Sequence, residues 1–85
     1  MNYVLQKKIE YAKCPIYIRR AGETWEYLTV INNEIYTASL VATMPAFRKI
    51  LGRGYTPKMI SDTTQYMIAM AQATIDTVTG IEHEK

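Results

Sequence analysis

The chain has 85 residues, which suits one domain with a modest core, and its apolar fraction of 48% is too high for a disordered chain. The net charge of +2 is too small to mark a dedicated nucleic-acid binder; residues 1–60 carry nine Lys/Arg against four Glu, while residues 61–85 carry Lys85 against Asp62, Asp76, Glu82 and Glu84. A single cysteine, Cys14, excludes an intrachain disulfide, and with a single histidine, His83, it excludes a Cys/His metal site, so a reducing cytoplasm is the expected compartment.

The N-terminal MNYVLQKKIEY has no long apolar run and no small-residue cleavage site, so it does not read as a signal peptide. No stretch approaches the roughly 18 uninterrupted apolar residues of a membrane span, and no membrane partner is expected. Residues 3–13 are ambiguous: Ile9 and Tyr11 would suit a strand, but KKIEYAK has no clear period. Residues 15–41 read as three strands, PIYIRR, ETWEYLTVI and EIYTASLVA, rich in the β-branched and aromatic residues that fit a pleated surface. Asn32-Asn33 tolerates positive φ and suits a two-residue hairpin turn; Ala21-Gly22 is a weaker signal. Two-residue loops at both places would set Thr29 against Tyr36, Tyr27 against Ala38, Trp25 against Leu40, Ile18 against Trp25 and Ile16 against Tyr27. One face would then be aromatic and aliphatic. The other would carry Tyr17, Arg19 and Glu26 beside Leu28, Val30 and Ile35, a patch too apolar for a fully solvated face, to be covered by the N-terminal segment or by a second copy of the chain.

From Thr43 the period changes. Thr43 as N-cap, Pro45 in the first turn, apolar Phe47, Ile50 and Leu51, and Gly52 as a stop predict a short helix over about 44–51. Thr56 caps a second helix, Pro57 opens it, and Gly80 ends it after about Thr79, leaving a polar tail over 80–85. The expected fold is α+β in a single domain over 1–85: a three-stranded antiparallel meander, with a fourth strand if the N-terminal segment joins, followed by the short and the long helix packed on the aromatic face.

The long helix has no charged residue from Thr63 to Ile75. Met59, Thr63, Tyr66, Met67, Met70 and Thr74 form one stripe; Ile60, Thr64, Ile68, Ala71, Ile75 and Val78 form another. One stripe packs on the sheet. The other predicts a homo-oligomer, with Leu28, Val30, Ile35, Thr63, Tyr66, Met67, Met70 and Thr74 as interface candidates, although a Thr/Gln outer face on a solvated helix would look similar.

The catalytic inventory is poor. His83 lies in the tail, Cys14 has no histidine to activate it, and no two carboxylates are spaced for acid–base work or a hard metal, so no catalytic residue, no metal and no cofactor is expected. The stretch LGRGYTPKMI is the sharpest feature. The N-terminus of the second helix offers unpaired N–H groups and partial positive charge, so Arg53, Tyr55, Thr56 and Lys58 could hold an anion, helped by Arg48, Lys49, Arg19 and Arg20. The pattern is not that of a P-loop, and the same glycines serve a plain helix–helix corner. The function these residues suggest is a small, non-enzymatic, oligomeric binding protein that engages an anionic partner. That partner is either a nucleotide-like small molecule or a protein's nucleic-acid-binding surface, as accessory and inhibitory proteins of phages and mobile elements do. Two alternatives are a small DNA- or RNA-binding regulator using Arg19-Arg20 at a basic hairpin tip beside Tyr17, and a purely structural oligomerisation subunit.

Overall fold

Three two-residue loops turn residues 4–41 into one antiparallel sheet, with the strands in chain order: β1 (Val4–Tyr11), β2 (Cys14–Ala21), β3 (Thr24–Ile31) and β4 (Glu34–Val41). Among the described residues one helix, α1 (Pro57–Thr79), follows. The structure is a computed structural model and describes residues 2–41 and 57–80; the expected short helix over 44–51 lies outside the described residues. The α+β class is as the sequence suggests, but the sheet has four strands, because residues 4–11 pair along β2.

Each loop has its own chemistry. Asn32 and Asn33 both take positive φ, 52° and 68°, as a type I′ turn requires, and Thr29–Tyr36, Tyr27–Ala38 and Trp25–Leu40 stand opposite each other as expected. The β2–β3 register differs from expectation. Ala21 remains in the strand opposite Thr24, and Gly22-Glu23 forms the loop with positive φ at Gly22 alone, the type II′ pattern. Ile18 therefore meets Tyr27, and Ile16 meets Thr29. The slip is two residues, so every side chain keeps its face; only the partners change. The physical reason is that glycine accepts φ > 0 at the first loop position without the penalty that alanine would carry there.

The β1–β2 loop is Ala12-Lys13, with φ of 50° and 66°. Neither residue favours the left-handed region, which costs roughly 1–2 kcal/mol for an ordinary side chain. Replacing the pair by Asn-Gly is expected to raise stability by about 1–2 kcal/mol, read as a higher urea midpoint with an unchanged denaturant slope. An unchanged midpoint would refute the strain.

The helix lies over β3, β2 and, least, β1; β4 is outside its footprint. Pro57 opens α1, and Gly80, with φ of 74° and its N–H bonded to the Asp76 carbonyl at 3.0 Å, closes it. The core joins Cys14, Ile16, Ile18, Trp25, Tyr27 and Ile31 of the sheet to Met67, Ile68, Ala71 and Ile75 of the helix. The helix thus packs through the seam between its two stripes: Met67 comes from one, and Ile68, Ala71 and Ile75 from the other. Three of its threonines fold their hydroxyls back on the helix: Thr64 donates to the Ile60 carbonyl, Thr74 to Met70 and Thr79 to Ile75. Because the single proton of Thr74 goes to Met70, Tyr27 donates its phenolic proton to Thr74 Oγ1, at 2.6 Å, tying β3 to the helix.

One core position is polar without being satisfied. Thr29 is fully buried and its Oγ1 has no partner. A buried unpaired hydroxyl costs about 1–3 kcal/mol, and valine has the same shape without the oxygen. Thr29→Val is expected to stabilise the fold by about 1 kcal/mol or more, raising the melting temperature. A destabilised variant would show that the hydroxyl has a partner.

Candidate functional site

Since α1 covers one side of the sheet, the candidate surface is the other. Two rows cross it. Lys8, Tyr17, Leu28 and Thr37 stand side by side from β1 to β4, and next to them Leu5, Arg19, Glu26 and Ser39. A bulge between Leu5 and Lys7 brings Leu5 onto this open face. Without the extra residue, Leu5 would share the helix side with Ile9 and Tyr11. Glu10 opposite Pro15, and Val30 opposite Ile35, lie farther along the same face, so the surface grades from charges of both signs and an aromatic ring at β1 and β2 to aliphatic and hydroxyl at β4. Among the described residues no element packs over it. Ile35 is 67% exposed and Val41 60%, while Leu28 and Val30 are half-buried.

Three charges of this face, Lys8, Arg19 and Glu26, are engaged within the chain. The Arg19 guanidinium pairs with the Glu26 carboxylate and lies over the Tyr3 ring, 5.0 Å from its centroid. The Lys8 ammonium lies 5.5 Å from the Tyr17 ring centroid. Cation–ring contacts at exposed sites contribute about 0.5–1 kcal/mol each. Thr37 is satisfied locally through a 2.7 Å bond to the Tyr27 carbonyl.

Of the anion candidates, Lys58, Arg19 and Arg20 lie among the described residues. Arg48, Lys49, Arg53, Tyr55 and Thr56 lie outside the described residues. Lys58, on the first turn of α1, pairs with Asp62 at 2.9 Å; both side chains are largely exposed, and such a pair contributes only a few tenths of a kcal/mol. Arg19 and Arg20 part company, because successive strand residues point to opposite faces. Arg19 faces outward, whereas Arg20 lies on the helix side, bonds the Gly22 carbonyl at 3.0 Å and sits 5.6 Å from the Trp25 ring centroid. The hairpin tip is Gly22-Glu23, so the expected basic tip is corrected: strand alternation and the longer β2 divide it.

The oligomer candidates divide as well. Leu28, Val30 and Ile35 share the open face, but the N-terminal segment does not cover them, being an edge strand of the same sheet. Of the helix residues, Thr63 and Met67 are buried, Met70 and Thr74 are half-buried, and Tyr66 is 56% exposed. Cys14 belongs to the core. Among the described residues no three His, Cys, Asp or Glu side chains are grouped as a metal would need, and no helix is long and apolar enough to cross a membrane.

Sequence reasoning missed the contact between Tyr11 and Asp76, 65 positions apart, in which the phenol reaches both carboxylate oxygens at 3.1 and 3.2 Å. The hydrogen bond to Asp76, then burial, then the carboxylate's charge hold the Tyr11 phenol above the ordinary value of 10.0. The folded chain therefore keeps this proton at a pH where the unfolded chain releases it. The contact's stabilisation is complete below pH 10.0 and is lost as pH rises through the folded value. Tyr11→Phe is expected to flatten the decline of the urea midpoint above pH 10; parallel declines in the two proteins would refute the coupling.

No protein-family model, no curated protein and no solved structure matches the chain.

Proposed function

We propose that the chain is a small non-enzymatic binding protein that works as an oligomer and engages an anionic partner, an acidic surface of another protein, through the open face of its sheet. The observation that carries this reading is the row Lys8–Tyr17–Leu28–Thr37: a cation, an aromatic ring and an aliphatic side chain in line, with no described element above them. Protein partners are gripped by aromatic and aliphatic anchors with charge at the margin, whereas a phosphate ligand wants converging cations. Arg19 is already committed to Glu26 and Tyr3, so the converging cations that a polyphosphate backbone wants are not assembled on this face.

A second reading has one observation in its favour. Two cations interleaved with two tyrosine rings, Lys8 with Tyr17 and Arg19 with Tyr3, also suit stacking of single-stranded nucleic acid. An NMR titration of the whole chain with polyglutamate and, separately, with oligothymidine, at low and high salt, separates the two. Polyglutamate is expected to shift the backbone amides of Lys8, Tyr17 and Leu28, and Lys8→Ala to weaken the effect. Oligothymidine binding that collapses with salt would favour the second reading. Shifts from neither polymer, or shifts confined to α1, would overturn both.

A further inference from the structure

The two edges of the sheet are built differently. The β1 edge carries Lys7, Lys8 and Glu10 and a bulge, the features that keep one sheet edge from pairing with another. The β4 edge, EIYTASLV, has Glu34 as its only charge, no proline and no bulge along its eight residues, and it lies outside the footprint of α1. In a hairpin closed by the Ile31–Glu34 pair, the residues bonded to β3 alternate along the strand as Glu34, Tyr36, Ala38 and Leu40. The N–H and C=O groups of Ile35, Thr37, Ser39 and Val41 then turn outward, four consecutive rungs that no strand among the described residues pairs with.

The sequence of β4 is self-complementary in one register. Centred on Ala38, an antiparallel copy sets Ile35 against Val41, Tyr36 against Leu40, Thr37 against Ser39 and Ala38 against itself. Aliphatic meets aliphatic, aromatic meets aliphatic, hydroxyl meets hydroxyl, and Glu34 falls outside the paired core. Moving the centre to Thr37 would place Glu34 against Leu40 and break the match. Same-face pairing across a twofold axis requires such an even register. We infer that β4 is a homodimer edge: two copies join β4 to β4 about a twofold axis at Ala38, forming one continuous eight-stranded sheet with both helices on one side and both open faces on the other. This rests on the oligomeric part of the proposed function and supplies its geometry. Two copies of the cation–aromatic row would then flank a shared aliphatic centre made by Ile35 and Val41.

The test combines mass in solution with a cross-link. Light scattering of the whole chain over a range of concentrations is expected to give a dimer. Thr37→Lys with Ser39→Lys sets lysine against lysine twice and is expected to raise the dimer Kd about tenfold or more, whereas Thr37→Lys with Ser39→Glu sets opposite charges together and keeps the dimer. In a Cys14→Ala background, Ala38→Cys places the two cysteines across the axis, within about 4.5–5.5 Å between Cα atoms, and is expected to oxidise to a covalent dimer, while Ile35→Cys does not. Circular dichroism confirms that each variant is folded. A folded wild-type monomer at every concentration overturns the inference. So does a dimer unaffected by the lysine pair, or cross-linking at Ile35 in place of Ala38. A monomer that still binds polyglutamate removes the edge alone; a β4 dimer that binds neither polymer removes the proposed partner alone.

Discussion

Trp25→Ala is expected to remove about 3–5 kcal/mol of folding stability, which for a chain of this size, at roughly 4–13 kcal/mol in total, leaves little or nothing. Trp25 is completely buried on the inner strand β3, between Arg20 of β2 and Leu40 of β4, and it belongs to the core cluster shared with the helix. Truncation removes the largest buried side chain and leaves a cavity that strands paired on both sides cannot close. It also takes away the ring over which the Arg20 guanidinium lies. Urea unfolding followed by far-UV circular dichroism measures the loss. Tyr66→Ala, at a helix position 56% exposed, is the control and is expected to stay within about 0.5 kcal/mol. A loss below about 1.5 kcal/mol for Trp25→Ala would mean that the sheet is not packed around this residue.

The second large effect is on the helix. Ile75 is completely buried and stands in the cluster with Met67, Ile68 and Ala71. Ile75→Ala is expected to cost about 2–5 kcal/mol, whereas Val78→Ala, from the same stripe but 36% exposed, should cost under about 1 kcal/mol. Helix and sheet share one core, so the loss is expected in both at once. Hydrogen exchange should show the amides of β2 and β3 destabilised together with those of α1. Protection lost from α1 alone would show that the sheet stands without the helix.

Much of this fold is legible in the residues, and the failures have local causes. Asn32-Asn33 announced its turn because asparagine tolerates positive φ at both loop positions, and the β3–β4 register followed from it. Ala12-Lys13 adopts the same kind of turn with residues that carry no such signal, so the first hairpin, and with it β1, was ambiguous. Lys7, Lys8 and Glu10 hid the strand further, since an edge strand is charged for reasons unrelated to the core pattern. Reading the second loop as Ala21-Gly22 in place of Gly22-Glu23 kept the faces but changed the partners, and so concealed that Arg19 faces Glu26. Had that pair been visible, the Arg19-Arg20 dipeptide would not have read as a basic patch. Helix boundaries followed from Pro57 and Gly80, but not which part of its uncharged surface faces inward. The helix uses the seam between two stripes, and periodicity alone does not choose between a stripe and a seam.

The strand order has a kinetic consequence. Every pairing in the sheet joins sequence neighbours across a two-residue loop, so three hairpins can each form without waiting for another part of the chain. A meander of this kind keeps contact order low for an all-antiparallel sheet. Among the described residues one large entropic step remains, the closure that brings Asp76 back to Tyr11 and Thr74 back to Tyr27, and its cost grows only as the logarithm of the intervening length. The search for the native state is therefore concentrated in the docking of one helix onto a surface that local sequence has already assembled.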